Sequence, residues 1–202
     1  EWGPGVIDML PAQVLDLART VMTAMQGLTP FATAIRTSRH SGGQQVSFSI
    51  DADTPLDAFT PLMEALGMGH RHGGFVTLLA FVLGARFTLP AGSAALTVLN
   101  TRQGPEMRLD VNIDALPDTP QQLLPLLRLP MTERPANLAA LDTWLAAMTP
   151  EGYYGPGSVT VLSVRVRPEM PARLALFLRP VAIEHATAAD PGGAPAPQPA
   201  LQ

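Results

Sequence analysis

The chain has 202 residues, 47% hydrophobic and 15% charged, enough to bury the core of one large domain or two small ones. Its formal net charge of −4 argues against broad nucleic-acid binding, which needs a basic face. Cysteine is absent, which excludes a disulfide framework and a thiolate metal site, and all 13 basic residues are arginine, as a GC-rich bacterial genome would favour. An anion site must therefore be built from guanidinium forks, and a P-loop or Schiff-base lysine is excluded.

In chain order, apolar spacing predicts a helix from Pro11 to Met25. A strand–turn–strand follows over about 31–51, with Ser-Gly-Gly at its turn. Asp53-Thr54-Pro55 reads as a cap with proline at an early helical position, and Leu56, Phe59, Leu62, Met63 and Leu66 lie behind it at helical spacing. The stretch "GHRHGG" puts His70 and His72 between glycines, a loop with surface histidines, and no third ligand stands near enough in sequence for a metal. The run from Phe75 to Leu83 reads as a second linker helix; with its extension to Phe87 it remains too short for a membrane span, which takes roughly 20 residues. A second hairpin covers about 94–114, with Gln-Gly-Pro at its turn. Asp118-Thr119-Pro120 then repeats the cap signal, and helical patterns run through Leu123, Leu124 and Leu127 and from Asn137 to Met148. A third hairpin covers about 158–181, and the alanine- and proline-rich tail 186–202 reads as disordered.

The hairpins share a pattern. Ile50 and Ile113 are 63 residues apart, and Ile113 and Leu178 are 65 apart, a period that marks a repeated supersecondary unit. In each second strand one face is apolar: Val46, Phe48 and Ile50; Leu109, Val111 and Ile113; Leu174, Leu176 and Leu178. The other face carries Gln45, Ser47 and Ser49, then Arg108, Asp110 and Asn112, then Arg173, Ala175, Phe177 and Arg179, with Ser163, Arg165 and Arg167 on the strand before. The expected fold is α+β: a single domain, 1–185, of three repeated α-β-β-α units, whose antiparallel sheet curls into part of a β-barrel with helices outside. The polar row then lines a cavity. Arg108, Arg165, Arg173 and Arg179 are the candidate anion-binding residues, because guanidinium groups stabilise a diphosphate both in place and as it leaves. Phe177 is the candidate ring for stacking or for shielding a cation, and Asp110, Asn112, Ser47 and Ser49 are candidate lining.

Repeated helix–hairpin–helix units, polar on the strand face turned away from the helices, resemble the aromatic prenyltransferases of the ABBA fold, and among them the dimethylallyltryptophan synthase branch. The resemblance covers roughly residues 10 to 182. "RLDVNI" stands where that family carries Arg-x-Lys-x-Tyr, giving Arg108, Asp110 and Asn112; "ALFLRP" stands where it carries Lys-x-Tyr-x-x-Pro, giving Ala175, Phe177 and Pro180. What the resemblance implies is a lumen holding an allylic diphosphate and an aromatic acceptor, a prenyl transfer needing neither metal nor cofactor, and a cytoplasmic protein of secondary metabolism. No residue maps onto the family's catalytic glutamate. Three units supply six strands, fewer than the family's barrel, so a homodimer or a second chain is the expected means of completing it. Two other readings stay open: a non-catalytic module of the same fold that binds a ligand or a protein, and an unrelated α+β sheet protein with duplicated hairpins.

Overall fold

A computed structural model of the chain describes residues 10–36, 43–117, 125, 128, 135–148 and 159–179. Its centre is a six-stranded sheet of three hairpins. β1 (Leu28–Arg36) pairs with β2 (Gly43–Ile50), β5 (Ala94–Thr101) with β6 (Gly104–Asn112), and β7 (Val159–Arg167) with β8 (Met170–Leu178). The spatial order is β1-β2-β5-β6-β7-β8, and every pairing is antiparallel. The short strands β3 (Thr54–Pro55) and β4 (Thr88–Leu89) form a separate two-stranded ladder.

The helices cover one face. α1 (Ala12–Ala24) buries Val14, Ala18 and Val21, spaced four and three apart so that they lie on one stripe. α2 (Thr60–Ala65) buries Leu62 and Met63, and α3 (His72–Val82) buries Phe75, Leu79 and Val82. These meet Val46, Phe48 and Ile50 of β2, Leu96 and Val98 of β5, Met107, Leu109 and Val111 of β6, and Leu162, Val164 and Val166 of β7 in one core. Phe59 and Phe75 sit edge to face at its centre, with ring centroids 5.2 Å apart. α3 packs on β7 and β8, so the helix that carries Phe75 is also the support of the third hairpin. α4 (Pro135–Met148) buries Leu141 and Leu145 outside that core.

Three expectations are corrected. The sheet does not close into a barrel: among the described residues β1 and β8 are its two edges. Closure requires a strand number, tilt and shear that agree, and alternation within each strand specifies none of them. Asp53 does not cap a helix. Its Oδ1 accepts the Ala91 N–H at 2.8 Å beside the β3–β4 ladder, and the chain enters α2 through a 3₁₀ turn, Leu56–Phe59, without a side-chain cap. The "GHRHGG" segment is not a free loop. His70 Nε2 and Arg71 Nε lie 3.0 and 3.1 Å from the Pro168 carbonyl, in the turn of the third hairpin, and His72 Nε2 lies 3.1 Å from Thr60 Oγ1. These contacts tie α3 to the β7–β8 turn. Asp118-Thr119-Pro120, Tyr153, Tyr154, Pro180 and the tail lie outside the described residues.

Candidate functional site

The register places the polar side chains in rows across the strands. Ser47, Thr97, Arg108, Arg165 and Arg173 are successive cross-strand partners. One step along the strands lie Ser49, Ala95, Asp110, Ser163 and Ala175, and beyond them Asn112, Val161 and Phe177. All stand on the face away from the core helices, since partners in an antiparallel pair point the same way. This face is not a flat solvated surface, because Ser47, Thr97, Leu99, Glu106 and Ser163 on it are buried.

Among the described residues, two concavities on this face bear on the polar rows. The larger is an open cleft of about 600 Å³, in the range of small-molecule sites, lined among others by Phe31, Ser49, Asp110, Asn112, Thr160 and Arg179. Phe31 and Thr160 are there because both sit at β-bulges. The register slips between Pro30 and Ala32 and between Val159 and Val161, and an extra residue re-aims the chain at each point. At Thr160 the slip lets Val159 face the core while Val161 faces the cleft. The smaller concavity, about 40 Å³, is lined by Arg165, Arg167, Met170, Pro171 and Arg173 at the turn end of the third hairpin.

Most of these arginines have carboxylate partners. Glu106, 1% exposed, holds two: Arg165 Nε at 3.0 Å from its Oε1, and Arg167 through Nε and Nη2 to its Oε2. The Arg165 contact has ion-pair distance without hydrogen-bond alignment. Arg108 Nε stands 3.0 Å from Asp110 Oδ2, again unaligned, and Asp110 Oδ1 is buried with no hydrogen-bond partner. Arg179 Nη2 binds Asp114 Oδ2 at 2.8 Å. Arg173 makes no ion pair with a described residue and is exposed.

The predicted residues therefore divide. Arg108, Arg165 and Arg173 are brought into one row, whereas Arg179 stands six positions beyond Arg173, about 20 Å at ~3.4 Å per residue, and lines the cleft instead. Phe177, 53% exposed, pairs with Val161 beside the cleft. Ser47 is committed to a 2.9 Å hydrogen bond with Thr97, Asn112 Oδ1 accepts the Asp114 N–H at 3.2 Å, and Ser49 lines the cleft. Sequence reasoning missed Glu106, Asp114 and Phe31. Glu106 was within reach, because it stands two residues before Arg108 on the same alternation; the bulge that exposes Phe31 leaves no such mark.

No protein-family model matches the chain, and no curated protein matches it in sequence. Among the described residues no cluster of three or more histidines and carboxylates could hold a metal ion, and no helix is long and apolar enough to cross a membrane.

Just past the end of β2, side-chain hydrogen bonds from Thr29, then from Ser49, hold the Asp51 carboxyl below its ordinary value of 3.8. A depressed folded-state pKa contributes stability that is present above the unfolded value and disappears as pH falls through the folded one. The stability difference between the protein and Asp51→Asn should therefore be constant above about pH 5 and shrink towards about pH 3. Urea melts at both pH values check this; an equal difference at the two would show that the carboxylate is not what these hydroxyls stabilise.

Proposed function

We propose that the protein is an aromatic prenyltransferase-like enzyme that places an allylic diphosphate on the guanidinium row and an aromatic acceptor in the adjoining cleft. The observation that carries this reading is the cross-strand row of Arg108, Arg165 and Arg173, with Arg173 free of any described carboxylate, next to a cleft large enough for an acceptor. In the reaction the allylic C–O bond breaks and pyrophosphate leaves with the electron pair. The arginines stabilise its developing charge, as preorganised cations do. A ring carbon of the acceptor bonds to the allylic carbon and loses a proton. Asp110, which lines the cleft with its side chain about a quarter exposed, is the base this reading assigns. Phe31 is the ring placed to stack on the acceptor or face the cation.

The test is product formation from dimethylallyl diphosphate and a panel of electron-rich aromatics, beside calorimetry with a non-hydrolysable analogue of the donor in chelator. Arg173→Ala should weaken the analogue by about tenfold, the scale of one charge-assisted contact, and leave the melting temperature unchanged. Analogue binding that ignores Arg173 would sink the reading.

One observation favours a second reading, the non-catalytic binding module: Arg108, Arg165, Arg167 and Arg179 all have carboxylate partners, which lowers the net charge offered to a diphosphate. Analogue binding that depends on Arg173, with no product from any acceptor, would select it.

A further inference from the structure

We infer that Glu106 is a positioning residue: it fixes Arg165 and Arg167 as a preformed pair that, with Arg173, makes a site for a phosphoryl oxyanion. Glu106 is a buried carboxylate on the polar sheet face: its Oε2 accepts the hydrogen bond of Arg167, and its Oε1 stands at ion-pair distance, unaligned, from Arg165. A second hold comes from Gln103, whose Oε1 lies 3.4 Å from Arg167 Nη1. Arg167 is thereby restrained from two sides, on the β5–β6 turn and on β6. The 40 Å³ hollow lies against these arginines and Arg173. Its size suits one small anionic group. The side chains of Arg165 and Arg167 remain 43% and 31% exposed, so neither arginine is sealed in with Glu106.

The geometry separates positioning from charge balance. Three arginines and one glutamate leave a net charge of about +2. Were Glu106 only a counter-ion, removing its charge would raise the field and tighten an anion. As a positioning residue it does the opposite. Without it two like charges on neighbouring positions of β7 repel, and the fork must be rebuilt at each binding event, which costs the affinity that preorganisation supplies. The natural ligand follows from the prenyltransferase-like reading, on which this inference rests for that point alone: the terminal phosphate of the donor.

The site is tested on the full chain by calorimetry with inorganic pyrophosphate, with inorganic phosphate, and with the non-hydrolysable dimethylallyl diphosphate analogue. Pyrophosphate should bind the protein. Arg167→Ala should weaken it by about tenfold, and Glu106→Gln should weaken it to a similar extent although it adds a positive charge. Melting curves show whether Glu106→Gln folds. Should it not, Gln103→Ala alone, with Arg167 kept, reads the restraint on Arg167 from the exposed side and should weaken pyrophosphate; unchanged binding in it overturns the positioning role. Tighter or unchanged pyrophosphate binding in folded Glu106→Gln overturns the positioning role. Analogue binding that ignores Glu106 and Arg167, with prenyl transfer from dimethylallyl diphosphate itself, overturns the inference and leaves the enzymatic reading standing. Pyrophosphate binding in the expected pattern without prenyl transfer does the reverse. Binding of neither anion overturns both.

Discussion

Phe75→Ala is expected to lower stability by about 3–5 kcal/mol, the cost of emptying a fully buried aromatic site. Against a total of about 5–15 kcal/mol for a domain, that is a large share. The melting temperature should fall by about 6–20 °C, taking about 2–4 °C per kcal/mol at this chain length. Three features make the cavity hard to refill. Phe75 is 0% exposed, it loses the edge-to-face contact with Phe59, and it stands on α3, whose N-terminus is tied to the Pro168 turn by His70 and Arg71. α3 cannot slide inward without dragging that turn. The same tether carries the damage to the other face of the sheet. α3 supports β7 and β8, the strands that bear Arg165, Arg167 and Arg173. Partial loosening of α3 should therefore weaken pyrophosphate binding at temperatures where the protein remains folded. Thermal melts and calorimetry on Phe75→Ala check both parts. A loss under about 1 kcal/mol would mean that Phe59 and Leu79 close over the gap, and that the core is more compliant than its burial suggests.

The residues that were legible in the sequence and those that were not differ in what fixes them. Alternation over 107–113 sorted Arg108, Asp110 and Asn112 from Leu109, Val111 and Ile113, because side-chain period alone decides that and a buried face enforces it. The same logic placed Leu174, Leu176 and Leu178 towards the core, where they pack against it. The apolar spacing read over 11–25, 75–83 and 137–148 is written locally, and helices lie there at Ala12–Ala24, His72–Val82 and Pro135–Met148. Relations between distant elements were not written locally. That Thr97 would take the Ser47 hydroxyl, or that Glu106 would meet Arg165 and Arg167, depends on which strands become neighbours and in what register. The histidines of "GHRHGG" looked like loop residues because glycine flanks them. Yet Gly73 and Gly74 begin a helix whose cohesion comes from Phe75 and Leu79 in the core, a tertiary override of weak propensity. Phe31 was read as the start of a strand. The strand starts at Leu28 instead, and the bulge after Pro30 turns Phe31 to the cleft. Proline on an edge strand leaves no ladder bond broken, so the chain can accept it there.

Asp110→Asn should separate affinity from turnover in the opposite sense to Glu106→Gln. Asp110 and Arg108 stand side by side on one strand face, each about a quarter exposed, and their contact lacks a well-aligned hydrogen bond. Asp110 therefore restrains Arg108 little and mainly subtracts charge from the row. At an effective dielectric of about 20 and a separation of about 6 Å, a unit charge acts on an anion with roughly 3 kcal/mol. Salt screening at this exposure leaves about 1–1.5 kcal/mol of that, so Asp110→Asn should tighten the donor analogue by about tenfold. Turnover should move the other way. If the carboxylate takes the ring proton, its amide cannot, and general-base loss costs about 10²–10⁴ in rate. The combined signature is tighter donor binding with slower product formation. Glu106→Gln should show weaker binding and, at saturating donor, a smaller change in rate, since Glu106 meets arginines and does not line the cleft. Two carboxylates four positions apart on β6 then have opposite effects on the same ligand. The difference lies in burial and in the contact each one makes: Glu106 is enclosed and takes an aligned hydrogen bond from Arg167, whereas Asp110 is a quarter exposed and only leans on Arg108. A tightening in both variants would mean that the row responds to net charge alone, and the preorganised fork would have to be abandoned.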